Sequence, residues 1–269
     1  MRVTIIGGGN IGGAIARGLS RGSFFQASDI TVVDTNPAVL DALRIFNPQI
    51  NLAQKNNDIT LSADIIIIAL KPWLIENFLE SIKFQLNYDR QTIISVAAGI
   101  SFKQLNEYLK QIGPEMPTLF RIIPNTAISV NESMTFIASF NASEKKEQLI
   151  VDIFSNMGKT VLISEDSMSA GTALGSCGIA YAFRYIRAAT EAGVEIGFST
   201  EHAQQIAMQT LKGAIKLLED NKSHPEMEID KVTTPGGITI KGLNTLEKYG
   251  FTNAVIEGIK AGNLSENIS

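Results

Sequence analysis

The stretch RVTIIGGGNIGGAIARGL, residues 2–19, joins a short β-branched run to a glycine-rich turn and then to a helical pattern. The turn contains Gly-x-Gly-x-x-Gly at Gly7, Gly9 and Gly12. Between a strand and a helix, the first glycine permits a tight turn and the second lets a ligand approach the backbone. The third lets helix and strand pack closely. The stretch therefore predicts the first strand–turn–helix unit of an α/β domain.

An acidic residue, Asp34, ends the next β-branched run about 20 residues after the turn, where a carboxylate that binds ribose belongs. Turn and acid together predict dinucleotide binding through Gly7, Gly9, Asn10, Ile11, Gly12 and Asp34. The alternative is a tight turn with a solvent-facing aspartate. A carboxylate repels a 2′-phosphate, so NADH is favoured over NADPH. Lys55 or Arg44 could still bind that phosphate.

Outward from this unit, the first part of the chain alternates strand-like and helical patterns. Strand-like runs occupy 29–34, 63–70, 91–99, 118–124, 134–139 and 159–164. Helical patterns occupy 37–46, 72–82, 101–109 and 142–158. Nearly continuous apolar strands separated by helices predict a parallel sheet covered on both faces.

The pattern changes class after Ser164. Residues 166–197 form a helical stretch with small residues, and a second helix follows with Ser199 as its cap. An apolar stripe from Ala203 to Leu218 indicates core or a dimer interface. We therefore expect an α/β domain over 1–164 followed by an all-α domain over 165–269.

Composition narrows the class of protein. The 269 residues carry a net charge of −4 with no basic run, so nucleic acid is not an expected partner. The longest apolar run, 65–70, is too short to span a membrane, and 2–19 lacks the features of a signal peptide. A cytoplasmic protein is expected. No metal site is expected, because the chain has one cysteine, Cys177, and two well-separated histidines, His202 and His224.

The segment VTTPGGITIKGLNTLEKYG, residues 232–250, resembles the signature of the pyrroline-5-carboxylate reductase family. Four further segments resemble blocks of the same family: ADIIIIALKP at 63–72, SVAAGI at 95–100, RIIPNTA at 121–127 and GSCGIAYAFRYI at 175–186. The resemblance extends over essentially the whole chain, in order. It implies a Rossmann-type dinucleotide-binding domain followed by an all-α dimerisation domain. It also implies a homodimer that can assemble into a larger ring.

The activity that the resemblance implies is reduction of 1-pyrroline-5-carboxylate to L-proline, the last step of proline biosynthesis. NADH or NADPH would supply the hydride. A cyclic imine is basic enough to carry its own proton, so the protein must mainly orient and polarise the substrate. The reaction requires no metal and no catalytic histidine.

The resemblance also implies roles for individual residues. ALKP and VAAG should end the fourth and fifth strands and contact the cofactor. One further residue should lie near the adenosine half of the cofactor. The expected cofactor contacts are Ala69, Leu70, Lys71, Pro72, Ala97, Ala98 and Gly99, with Asn56 near the adenosine half. The substrate should contact the Pro-Gly-Gly turn and one residue of the 121–127 block: Thr234, Gly236, Gly237, Ile238, Thr239 and Asn125. Thr239 is the candidate for hydrogen bonding near the imine nitrogen and so for catalysis. The ordinary alternatives are a helix cap for Thr239, a solvated lysine for Lys71, and turn formation for Asn56 and Asn125.

Four positions depart from the family pattern. Ala127 and Ile179 stand where prolines are usual, Thr234 replaces a serine and Ile238 a threonine. These departures affect the expected pocket shape more than the reaction type. The rival hypotheses are another small reductase of the same domain plan, deazaflavin-dependent or of the hydroxyacid dehydrogenase type, and a non-catalytic dinucleotide sensor.

Overall fold

The computed structural model describes residues 1–55, 61–111 and 115–263. Within it the chain forms two compact units, residues 1–177 with the chain end from Gly262, and residues 178–261. The division at 164/165 stays a prediction; strands end shortly before it, at Leu162, whereas the compact units divide after Cys177.

The first unit contains an eight-stranded sheet in the order β3-β2-β1-β4-β5-β6-β7-β8. Its strands are β1 (Val3–Ile6), β2 (Ile30–Val33), β3 (Asn51–Ala53), β4 (Ile65–Ile68), β5 (Thr92–Ser95), β6 (Thr118–Ile123), β7 (Ser133–Phe140) and β8 (Gly158–Leu162). The strands β1 to β6 are parallel, and the strand order reverses at β1. In an open α/β sheet, the crevice beyond the carboxyl ends at such a reversal is where ligands bind.

Helices cover both faces of this sheet, as the continuous apolar strands predict. They are α1 (Asn10–Arg21), α2 (Pro37–Phe46), α3 (Pro72–Ile82), α4 (Phe102–Tyr108) and α5 (Glu144–Ser155). One core cluster contains apolar side chains of α1, α2 and α5, and the other contains those of α3 and α4. Successive strand residues alternate between the clusters, Ile5 in the first and Ile6 in the second.

Two features of the sheet differ from the sequence expectation. The short edge strand β3 was not predicted, because its three residues carry no apolar run. β7 is antiparallel to β6, although β8 then pairs with β7 in parallel. The link from β6 to β7 contains only a 3₁₀ turn, Thr126–Val130, and a parallel pair needs a longer crossover.

The helical stretch predicted over 166–197 is divided. A 3₁₀ turn (Glu165–Ser167) leads into α6 (Met168–Gly171), a π-helical turn (Thr172–Ser176) and then α7 (Gly178–Glu195). Cys177 is half-buried at this junction. The other helices are α8 (Thr200–Asn221), α9 (Pro225–Val232), α10 (Ile238–Lys248) and α11 (Phe251–Ala261).

The second unit is wholly helical among the residues described. Ser199 caps α8 as predicted, since its hydroxyl accepts a hydrogen bond from His202 N–H. Ala203 and Ala207 of the apolar stripe are buried, whereas Ile206 is about half exposed. Across the described residues, no helix combines the length and hydrophobicity that crossing a membrane requires.

Candidate active site

The glycine-rich turn between β1 and α1 has the close contacts that its motif predicts. Gly7 has φ +97°, and a Cβ there would lie 2.6 Å from the Ala69 carbonyl oxygen. A Cβ on Gly12 would lie 1.9 Å from the Gly7 carbonyl oxygen. Both positions therefore require glycine, one for its backbone conformation and both for space.

The second glycine of the motif faces open space. Gly9 is exposed, with no atom within 4 Å of a Cβ built on it, and it is the N-cap residue of α1. It has no side chain to cap the helix, and the first turn contains no acidic residue. Asn10 is exposed and Ile11 half-buried beside it. The N-terminus of α1 is therefore open to an anion, attracted by its N–H groups and by the helix dipole.

Asp34 follows β2 and is held by the glycine-rich turn itself. Its Oδ2 accepts a hydrogen bond from Gly8 N–H at 2.7 Å, and its Oδ1 accepts one from Asn36 N–H at 2.8 Å. A carboxylate has about four acceptor positions, so about two remain for a ligand. The structure thus joins the predicted acid and the predicted turn into one site.

A cavity of about 280 Å³ opens beside this carboxylate. It is lined by Gly7 and Asp34 and by residues that follow β2, β3 and β4, including Thr35, Gln54, Lys55 and Leu70. The open helix terminus, the glycine backbone and the fixed carboxylate provide what the pyrophosphate and ribose of a dinucleotide need. Thr35 and Gln54 were missed from the sequence; Thr35 could have been found as the residue directly after the acid.

The residues predicted at the end of β4 are placed beside the glycine-rich turn. Ala69 N–H donates to Ile6 O, and Leu70 lines the cavity. Lys71 is exposed and is the N-cap residue of α3, and Pro72 is the first residue of that helix. Within the described part of the chain, the Lys71 ammonium group has no hydrogen-bond or ion-pair partner.

The segment after β5 forms a loop at the same edge of the sheet. Val96 N–H continues the ladder by donating to Ile68 O. Ala97 is buried, whereas Ala98 and Gly99 are exposed, and Gly99 has φ +79°. The loop then enters α4, and its exposed backbone is available to a ligand.

Of the remaining predicted residues in this unit, Asn56 lies outside the described residues. Asn125 is buried and already engaged: its Oδ1 accepts from Ala127 N–H at 3.0 Å, and its Nδ2 donates to Gly175 O at 3.2 Å. The alanine at 127 makes the first bond possible, since the proline usual in the family lacks the N–H. Asn125 thus forms a turn and anchors the π-helical segment.

The predicted substrate turn lies in the second unit, before α10. Gly237 N–H donates to Thr234 O at 2.9 Å, and Gly236 has φ +72°. With Pro235 before that glycine, the four residues match a type II turn. Gly237 is the N-cap residue of α10, with neither a side-chain cap nor an acidic residue in the first turn. This helix terminus, like that of α1, is open to an anion.

Hydroxyl groups flank the turn without partners. Thr234 and Thr239 are exposed, and neither hydroxyl has a hydrogen-bond partner among residues 1–55, 61–111 and 115–263. By contrast, the Thr233 and Thr245 hydroxyls donate to Ile229 O and Lys241 O on their own helices. Ile238 replaces the usual threonine and is 87% exposed. Because its side chain is apolar, only its backbone can bind a polar ligand.

Two family models match the chain. The model described as pyrroline-5-carboxylate reductase dimerisation matches residues 165–266, and that described as NADP oxidoreductase, coenzyme F420-dependent, matches residues 2–99.

Relatives are similar over nearly the whole chain. Pyrroline-5-carboxylate reductase 2 of Dictyostelium discoideum is 39% identical over 96% of this chain and 89% of its own length. Pyrroline-5-carboxylate reductase 1 of the same organism is 38% identical over 96% of this chain, which spans only 48% of that relative. The crystal structure of Plasmodium falciparum pyrroline carboxylate reductase with NADP bound has a TM-score of 0.88 at 25% identity. The match covers 99% of this chain and 97% of that one. With the open dinucleotide turn and the Pro-Gly-Gly helix start, these similarities show that the chain belongs to the pyrroline-5-carboxylate reductase family.

Proposed function

We propose that this chain reduces 1-pyrroline-5-carboxylate to L-proline with a hydride from a nicotinamide dinucleotide. The observation that carries the proposal is a pair of uncapped helix N-termini, each preceded by a glycine turn. The one at α1 has the Asp34 carboxylate beside it, and the one at α10 has free hydroxyls beside it. An N-terminus with a ribose-binding acid suits the dinucleotide, and one without an acid suits a carboxylate substrate.

The turn before α10 binds the carboxylate group of the substrate. Pro235 and Gly236 set the turn, and Gly237 leaves the backbone open. The Gly237 N–H closes the turn by donating to Thr234 O. The N–H groups of Ile238 and Thr239 lie at the positive end of the helix dipole, where an anion is stabilised. The departure at Ile238 leaves this function intact, because backbone N–H groups supply the charge complementarity.

Thr239 orients the imine. Its free hydroxyl can accept a hydrogen bond from the N–H of a cyclic iminium or donate one to a neutral ring nitrogen. The substrate carries that proton, so the chain needs no general acid of its own, and the free hydroxyl of Thr234 completes the polar edge. The contribution of this part of the chain is orientation and charge stabilisation in a fixed geometry.

The proposed dinucleotide is NADH. The Asp34 carboxylate is held at both oxygens by backbone N–H groups, so it cannot easily turn away from the 2′ position of the ribose. A phosphate there would meet a negative charge. Lys55 lines the same cavity and is the cation that would favour NADPH, whereas Arg44 is already paired with Asp41.

The proposed assembly is a homodimer that joins into a larger ring. The helical unit exposes large apolar side chains, including Phe183, Ile196 and Ile238 at 60%, 76% and 87%. The dimerisation model that matches residues 165–266 supports pairing through this part of the chain.

Steady-state kinetics with 1-pyrroline-5-carboxylate, and with 1-pyrroline as the analogue that lacks the carboxylate, tests the proposal. We expect turnover of the acid with kcat/KM well above that of 1-pyrroline. Equal rates on the two compounds would show that carboxylate recognition does not contribute to turnover and would contradict the role proposed for this turn. Binding of NADH without turnover would favour the dinucleotide sensor.

A deazaflavin-dependent reductase is the rival enzyme, because residues 2–99 match a model of that description. That match covers the dinucleotide part alone, and the named relatives cover nearly the whole chain. Reduction of 1-pyrroline-5-carboxylate is therefore the favoured function.

A further inference from the structure

A buried arginine lies next to the candidate dinucleotide site. Arg121 of β6 is in register with Ser95, the last residue of β5, and its side chain is only 5% exposed. Its Nη1 donates to Glu165 Oε1 at 2.6 Å. A buried arginine requires such a partner, since an uncompensated charge in the protein interior is strongly destabilising.

The same Glu165 oxygen also accepts a hydrogen bond from Phe102 N–H at 2.6 Å. Phe102 is the first residue of α4. Ser101 and Gln104 form a capping box, in which the side chain of each residue accepts a hydrogen bond from the backbone N–H of the other. The backbone N–H of Phe102 has no partner in this box. Glu165 therefore completes the N-terminal cap of α4 from a segment 63 residues away.

The loop that this cap closes contains Ala97, Ala98 and Gly99. At its start, Val96 is fixed by the sheet ladder. At its end, the loop is fixed by the N-terminus of α4 and so by Glu165. Between these ends Ala98 and Gly99 are exposed, and a Cβ on Gly99 would have no atom within 4 Å. The shape of the exposed backbone therefore depends on its two ends.

We propose that Glu165 is a positioning residue for the dinucleotide. It holds the loop between β5 and α4 in the shape that receives the cofactor, and Arg121 pairs with its charge. The inference rests on the proposed function of that loop. Arg121 Nε is buried and has no hydrogen-bond partner among the described residues. The guanidinium group is therefore held through the hydrogen bond from its Nη1 to the Glu165 carboxylate.

A single substitution of Glu165 would confound positioning with stability, because it leaves the buried Arg121 charge without its partner. Paired substitutions avoid this. Arg121→Met with Glu165→Gln removes both charges but keeps an oxygen that can accept from Phe102 N–H. Arg121→Met with Glu165→Leu removes both charges and that acceptor. The two double variants differ only at position 165, where glutamine and leucine are similar in size. Only glutamine can accept the hydrogen bond from Phe102 N–H.

The measurements are NADH dissociation constants by fluorescence, KM for each substrate, and melting temperature. We expect the Gln double variant to bind NADH within about twofold of the unmodified chain. The Leu double variant should bind NADH on the order of tenfold more weakly, equivalent to about 1.4 kcal/mol, while KM for 1-pyrroline-5-carboxylate changes little. Equal NADH affinity in the two double variants would overturn the inference, because the pair would then serve stability alone.

Two further variants complete the test. Glu165→Asp keeps the charge but shortens the reach by one methylene, so it should also weaken NADH binding; should the Leu double variant not fold, unchanged affinity in Glu165→Asp overturns the inference. Gly99→Val tests the loop itself, since valine is strained at φ +79°. If Gly99→Val leaves NADH affinity unchanged, the assignment of this loop to the cofactor fails, and the positioning inference with it. If Gly99→Val weakens binding but the two double variants agree, the positioning inference alone fails.

Discussion

At the scale of single residues, glycine and threonine carry different parts of the candidate substrate site. A Cβ on Gly237 would lie 2.6 Å from Thr234 Oγ1 and 3.0 Å from its carbonyl oxygen. Gly236 instead has open space but a positive φ. One glycine therefore serves close approach, and the other serves backbone conformation. The threonines add hydroxyls that no described residue occupies.

Replacement of Thr239 by alanine should lower kcat/KM for 1-pyrroline-5-carboxylate. Losing a hydrogen bond to a charged group costs roughly 1.5–3 kcal/mol, which corresponds to on the order of ten- to a hundredfold. NADH affinity should stay nearly unchanged. Steady-state kinetics and NADH fluorescence check both expectations.

The matched control is Thr245→Ala, which removes a hydroxyl from the same helix where it bonds only Lys241 O. Its kcat/KM should stay close to that of the unmodified chain. Gly237→Val should lower activity more than Thr239→Ala, because the turn must open. Loss of NADH binding in the Thr239 variant would contradict the substrate role.

A second residue-scale prediction concerns Asp34. The unmodified chain should show a higher kcat/KM with NADH than with NADPH, and Asp34→Ser should narrow or invert the ratio, since it removes the charge that faces a 2′-phosphate. Asp89→Ser, at an exposed position before β5, is the control for loss of one negative charge. Equal use of both dinucleotides by the unmodified chain would count against this role of Asp34.

At the scale of elements, helix N-termini divide into two groups. α2, α4, α5, α8 and α9 begin with side-chain caps from Asn36, Ser101, Ser143, Ser199 and His224. α1, α3 and α10 begin without a side-chain cap at the predicted cofactor and substrate segments, and the short α6 also begins without one. A terminus that leaves its N–H groups open is less stable by itself and available to a ligand.

The connection from α8 to α9 has its own electrostatic support. Glu228 accepts hydrogen bonds from Lys231, Ser223 and Asn221, and mainly the bond from Lys231 lowers the pKa of its carboxyl to about 2. A carboxyl whose pKa is lower in the folded chain than in the unfolded chain stabilises the fold at pH values above its ordinary pKa. That stabilisation is lost as the pH falls through the pKa of the folded state. The melting temperature of Glu228→Gln should therefore lie below that of the unmodified chain at pH 7. This gap should close between about pH 4 and pH 2.

Thermal melts followed by circular dichroism over that pH range check the prediction. Glu257→Gln removes the exposed Glu257–Lys260 pair of α11 and should produce little difference at any pH. A gap for Glu228→Gln that does not change with pH would assign the effect to packing instead of charge.

At the scale of the whole molecule, exposed apolar surface is concentrated in the helical unit. A groove of about 570 Å³ between α7 and α8 is lined by Phe183, Ile186, Val194 and polar neighbours. Exposed apolar patches of this kind mark surfaces that associate with another chain. Association with a second copy would bury them.

We expect at least a homodimer in sedimentation velocity at assay concentration. Phe183→Asp should shift the chain toward monomer and lower its activity, because a charge then replaces a large apolar side chain. Phe84→Asp is the control, since Phe84 is an aromatic residue of the dinucleotide unit and is 69% exposed. A fully active monomer of the unmodified chain would contradict the prediction.

The sequence alone determined the elements whose causes are local. Helical periodicity and cap residues predicted most helices of the first unit. The alternation of strand-like runs with helical patterns predicted its sheet. The glycine spacing predicted the dinucleotide turn, because only glycine can adopt φ +97° beside the Ala69 carbonyl without strain.

Only the tertiary structure decided the pairings between distant segments. A pattern of apolar residues is the same for either strand direction, so the antiparallel pairing of β7 with β6 followed from the short link between them. Asp34 was predicted, but its hydrogen bond to Gly8 N–H was not. No feature of the sequence around Glu165 distinguishes it from the other acidic residues of the chain. It becomes a cap and an ion-pair partner only because folding brings it to Phe102 and Arg121, 63 and 44 residues away, where the buried guanidinium group needs a carboxylate.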